Sequence, residues 1–107
     1  MNKVFAVSID VSNDDIELDR YCRKEIEKIF DSKEKAELFI TESYKECFED
    51  PEYPGYCKII LINPNNREDR IAIDHFPTEQ ELSTYRISYI EDGDMTVTFY
   101  CSEYDVF

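Results

Sequence analysis

Residues 26–48 read IEKIFDSKEKAELFITESYKECF and pass from an extended pattern into a helical one within a few positions. From about residue 32 the apolar side chains recur at three- and four-residue intervals. Ala36, Ile40, Tyr44 and Cys47 form a stripe that Phe39 and Phe48 widen, the pattern of a helix with one buried face. Asp31 is a good N-cap, and Glu34 three residues later gives a capping-box-like start. Asp50-Pro51 ends the helix, because a residue before proline avoids the α region. One main helix over about 32–48 is expected, with strands packed on its stripe.

Upstream, Lys3 to Val11 alternates, with Phe5, Val7, Ile9 and Val11 on one face and Val4 and Ala6 on the other; this is a strand. Ser12-Asn13-Asp14-Asp15 is a turn cluster. The segment 16–30 reads two ways. Leu18, Cys22, Ile26 and Ile29 fit a helical stripe, while the even positions Ile16, Leu18, Cys22, Ile26 and Phe30 fit a strand. The extended reading is preferred over about Arg23 to Phe30, because Asp31-Ser32 then makes a short connection into the helix.

Downstream, residues 51–55 are a loop and Tyr56 to Ile62 an isoleucine-rich strand. Asn63-Pro64-Asn65-Asn66 is a turn, and Arg70 to Phe76 a second strand. Residues 77–82 allow at most one helical turn, with proline at or just before its start. Thr84 to Ile90 and Met95 to Cys101 flank Glu91-Asp92-Gly93-Asp94, and Asp-Gly between alternating runs is a strong hairpin signal. With Asp92-Gly93 as the loop, Ile90 faces Met95 and Ser88 faces Val97, leaving Tyr85, Ile87, Tyr89, Thr96, Thr98 and Tyr100 on the opposite face. The fold class is therefore α+β: one domain over 1–107, a mostly antiparallel sheet of five to six strands packed against one main helix, closing in a C-terminal β-hairpin.

A resemblance follows from the same region. Val4-Phe5-Ala6-Val7, and later the run from Ile29 to Ile40, IFDSKEKAELFI, resemble the opening of small uncharacterised bacterial and phage proteins. In those, V-[FY]-x-V precedes a strand ending F-x-S and a helix starting K-E-K-A-E-x-F-I. The similarity covers roughly the first 45 residues and implies a β-β-α opening and a microbial or phage origin. It implies no activity and transfers no site residues.

Charge narrows the function classes. Twelve Lys and Arg stand against 25 Asp and Glu, a net of −13, which repels nucleic acid and anionic membranes and draws basic proteins. An aromatic content of 14% argues against a disordered acidic tail. The longest aliphatic run is residues 59–62, far short of the ~20 residues of a membrane span, and no export signal opens the chain. A cytoplasmic protein with no membrane association is expected, and Cys22, Cys47, Cys57 and Cys101 read as reduced, buried thiols.

Chemistry is sparse. The one histidine, His75, has no nucleophile signature beside it, and no cysteine spacing suits zinc. Asp10 to Asp15 lacks the glycine of a calcium loop, and two glycines are too few for a phosphate cradle. No catalytic residue, metal ligand or cofactor is assigned, and a non-enzymatic protein is expected. The acids concentrate instead in two places. From Ile71 onward Arg86 is the sole Lys or Arg against eight acids, and Glu42, Glu46, Glu49, Asp50 and Glu52 are relieved only by Lys45. Tyrosines interleave with both clusters, and tyrosine suits interfaces as well as half-exposed strands. The expected partner-binding set is Glu91, Asp92, Asp94, Glu103 and Asp105, with Tyr85, Tyr89, Tyr100 and Tyr104, plus Glu46, Glu49 and Asp50.

The sequence reading is an acidic protein-binding module facing a basic protein surface, without direct nucleic-acid contact. It would be an inhibitor imitating nucleic-acid phosphates, phage anti-CRISPR proteins being one such class. Alternatives are an immunity- or antitoxin-like protein neutralising a basic toxin, a housekeeping domain, or a small enzyme or metal-sensing domain built on unrecognised carboxylates.

Overall fold

Two twelve-residue strands form the spine of the sheet. β1 (Asn2–Asn13) and β6 (Met95–Val106) pair antiparallel along their whole length, from Asn2 opposite Val106 to Asn13 opposite Met95. The computed structural model describes residues 2–13 and 23–106. The helical alternative for 16–22, the turn expected at Asp14-Asp15 and Cys22 lie outside the described residues. Ser12 and Asn13 continue β1 rather than turning, and β6 runs through Val106 instead of stopping at Cys101.

The remaining elements are β2 (Arg23–Phe30), α1 (Lys33–Glu49), β3 (Cys57–Asn63), β4 (Asn66–Ile73), α2 (Glu79–Thr84) and β5 (Arg86–Asp92). The sheet is six-stranded and antiparallel in the order β2-β1-β6-β5-β3-β4, an α+β arrangement with α1 on one face. Burial of Ile59, Leu61 and Ile90 against Tyr44 forms the core cluster; each such aliphatic side chain contributes about 1.5–3 kcal/mol.

Ser32, not Asp31, caps α1: its side chain accepts the Lys35 N–H at 3.2 Å. Asp31 instead pairs with Lys35 Nζ at 3.0 Å, which lowers its carboxyl below the usual range, and Glu34 takes no part in a box. The capping box belongs to α2. There the Thr78 side chain accepts the Glu81 N–H, and the Glu81 carboxylate accepts the Thr78 N–H. At its other end α1 stops at Glu49 before Asp50-Pro51.

The C-terminal hairpin turns one residue later than expected. Asp92 pairs with Met95, so Gly93-Asp94 is the loop. Gly93 has φ +61° while Asp94 stays at negative φ, as a II′ turn requires. The partners move by two, Ile90 to Val97 and Asp92 to Met95, so face membership near the turn survives.

Farther from the turn it does not. Ile60 pairs with Tyr89 and Leu61 with Ile87, making Ser88 an extra, bulged residue. The bulge rotates Ile87 and Tyr85 onto the helix side, where they pack against the core cluster. Tyr89, Thr96, Thr98 and Tyr100 keep the uncovered face.

β5 and β6 pair only from Ile90 to Asp92. Beyond that they part, β5 staying with β3 and β6 with β1, and the sheet splits into two halves. Tyr44, 1% exposed, projects from α1 into the fork. Its hydroxyl accepts the Phe99 N–H at 2.8 Å and shares its own proton between the carbonyls of Ser88 (3.3 Å) and Phe99 (3.2 Å). The ring meets Phe99 edge-on at 5.1 Å. One side chain thus ties both half-sheets to the helix, and burial pushes its phenol up to about 12.

Candidate partner-binding groove

The end of α1, the loop after it and the hairpin turn meet at one end of the molecule. Asp92 is the clamp. It is 6% exposed, and its carboxylate oxygens accept the N–H groups of Glu52 at 2.7 Å and Tyr53 at 2.9 Å. Gly93 N–H donates to the Tyr56 carbonyl at 3.0 Å. A Cβ on Gly93 would stand 2.7 Å from Tyr53 Cδ2, so that turn is closed down on the Tyr53 ring. Asp92 is therefore a structural anchor whose carboxylate is engaged within the fold.

Beside this clamp lies an open groove of about 610 Å³. Ile9, Val11, Cys47, Ile90, Met95 and Val97 supply its apolar lining, and Asp50, Glu52 and Tyr53 its rim. No Lys or Arg is among the described lining residues. Asp50 and Glu52 of its rim are exposed, as are Glu46 and Glu49 of α1 and Asp94 of the hairpin turn, and among the described residues none of these carboxylates forms an ion pair. Three of them stand at the carboxyl end of α1, whose last turn contains no basic residue. Carboxylates there oppose the helix dipole, each at a cost of about 0.3–1 kcal/mol.

The twelve expected residues do not form one surface. Asp50 and Asp92 line the groove, Glu46 and Glu49 lie at the end of α1, and Asp94 lies in the hairpin turn. Tyr89, Tyr100, Tyr104 and Glu91 lie on the uncovered sheet face, where Glu91 is opposite Lys58. Glu103 and Asp105 lie toward the far end of β6, about 30 Å from the turn at ~3.3 Å per residue, and Glu103 pairs with Lys3 at 3.1 Å. Tyr85 faces the helix side and donates its hydroxyl to Asp69 at 3.0 Å. Glu52, Tyr53 and the apolar floor were not in the expected set. Tyr53 and Tyr56 beside the acidic stretch were the available signal, whereas Val11 and Met95 reach the groove only through the β1–β6 register.

Two of the described thiols, Cys57 and Cys101, are poor nucleophiles. Cys47, Cys57 and Cys101 are half-buried and form no disulfide. Burial, then the charges of Asp92 and Cys47, push the Cys57 thiol up to about 11; burial raises Cys101 too, and Glu37 adds to it. Among the described residues no group of three His, Cys, Asp or Glu side chains converges to hold a metal ion, and no helix is long and apolar enough to cross a membrane. The fold and groove define an acidic α+β domain with a negatively rimmed apolar cleft. Comparison with family models, curated proteins and solved structures returns no match.

Proposed function

We propose that this protein is a non-enzymatic acidic binding module that occupies the basic surface of another protein. One observation carries the reading: the apolar groove has Asp50 and Glu52 on its rim and no Lys or Arg in its described lining, and Glu46, Glu49 and Asp50, without ion-pair partners among the described residues, stand where the helix dipole opposes them. Solubility alone would be served by acids anywhere on the surface, whereas these are concentrated at a cost to the helix. The apolar floor suits an aliphatic or aromatic side chain, and the rim suits the lysines or arginines beside it.

A basic groove that normally holds nucleic-acid phosphates presents such chemistry, so the target class is a nucleic-acid-binding protein. An inhibitor of that kind, of the phage anti-CRISPR sort, is the specific form proposed. The test is capture of proteins from lysate by the immobilised chain at low and at high salt, beside a Glu49→Lys/Asp50→Lys/Asp94→Lys variant. The expected result is a nucleic-acid-binding protein held by the parent chain, released as salt rises, and lost by the variant. Binding that is indifferent to both salt and the three reversals would sink the reading.

A further inference from the structure

We infer that the sheet face not covered by α1 is the interface for a second copy of this chain. The β-register places Val4, Ala6, Ile26, Ile29, Tyr100 and Tyr104 together on that face across β2, β1 and β6. Ile26 and Ile29 are each 58% exposed and Tyr104 53%. Ala6 and Ser8, both buried, form a floor between the isoleucines of β2 and the tyrosines of β6. A contiguous apolar face of this kind marks an interaction surface rather than scattered exposure.

Two observations name the occupant. The first is charge. In a molecule of net −13, the register puts Asp10 and Glu91 on this face together with Lys24, Lys58 and Arg70, so its ladder positions carry no excess of acid. A basic partner has no electrostatic reason to prefer this face over the acidic end. A second copy, repelled at the acidic end, meets no such excess here. The second is area. The whole face, six strands at ~4.8 Å spacing and ~3.3 Å per residue, spans on the order of 700 Å², about half of it on β2, β1 and β6, against the ~800 Å² per partner of a stable interface. Face-to-face packing leaves both helices, both grooves and both acidic ends outward, so the dimer presents two copies of the partner-binding groove.

The test is sedimentation equilibrium of the full chain from ~1 to ~200 µM, a range that spans micromolar dissociation constants. Parent chain, Ile29→Lys, Ile26→Lys and Asp94→Lys are compared, with circular dichroism confirming folding of each. Each lysine substitution lowers the negative charge, by one at either isoleucine and by two at Asp94, so general repulsion alone predicts tighter association for all three. The expected result is a dimer in the parent, about tenfold or more weaker association for Ile29→Lys and Ile26→Lys, and no weakening for Asp94→Lys. A parent chain monomeric throughout would overturn the inference and assign the face to a different protein. Association unaffected by both isoleucine changes, or abolished by Asp94→Lys, would place the interface elsewhere and overturn it equally. The acidic-groove reading is independent of each of these outcomes.

Discussion

Tyr44 ties α1 to both halves of the sheet through its hydroxyl. Its ring position was legible, because the helical stripe of Ala36, Ile40, Tyr44 and Cys47 already put it in the core. What the hydroxyl does was not, since the polar partners exist only where β5 and β6 part, and the parting depends on a bulge at Ser88. In Tyr44→Phe the ring packing persists but the Phe99 N–H and the Ser88 carbonyl lose their partner. A buried group left unsatisfied costs about 1–3 kcal/mol, which in a domain of this size lowers Tm by on the order of 5–15 °C. Thermal melts measure this, and an unchanged Tm would remove the hydroxyl from its bridging role. The alkaline limb has a definite sign. Tyr44 keeps its proton up to about 12 in the fold but only to about 10 when unfolded, so its contribution is intact below pH 10 and declines between 10 and 12. Gly93→Ala acts on the other fixed point. It forces alanine into φ +61° against the Tyr53 ring, an expected loss of about 1–2 kcal/mol from the backbone alone, measurable by urea unfolding.

At the scale of elements, the places where sequence and structure diverge are bulges and caps. Ile26 and Ile29 look helical because they are three apart, yet both lie on one face of a strand. Val7 pairs with Lys28 and Ser8 with Ile26, so Glu27 is an extra residue and restores the strand's alternation one position late. Period-two counting across such a point must fail, and the same happens at Ser88. The acidic stretch at the end of α1 was visible as composition, but its union with the hairpin turn is tertiary and rests on Asp92. The short α2 offers the clearest element-level test. His75 Nε2 lies 2.8 Å from Glu81 Oε1, and the same carboxylate closes the capping box. The hydrogen bond and charge of Glu81 raise His75 above its usual 6.5. Glu81 is held below 4.5, chiefly by the Thr78 backbone N–H and then by His75. The histidine's contribution is therefore full below pH 6.5 and lost as pH rises through its raised value. The glutamate's is full above pH 4.5 and lost as pH falls through its lowered one. An NMR titration should find the His75 midpoint above 6.5, returning toward it in Glu81→Gln. A midpoint insensitive to that change would detach the histidine from the cap.

At the scale of the molecule, the charge of −13 acts differently on folding, on self-association and on partner binding, and salt separates them. Like charges on one compact body repel, so screening raises stability, and the parent chain should melt at higher temperature in ~0.5 M NaCl, where the Debye length falls below ~5 Å. Two negative copies meeting through a neutral face also gain from screening, so the dimer should tighten with salt. A basic partner at the acidic end gains its encounter and part of its affinity from the unscreened field, and its binding should weaken over the same range. Measured side by side on one preparation, the expected outcome is opposite slopes: dimer dissociation constant falling and partner dissociation constant rising as salt increases. Two slopes of the same sign would contradict one of these assignments: a dimer that loosens with salt is not two negative copies meeting through the sheet face, and a partner that tightens with salt is not drawn by the carboxylates of the acidic end.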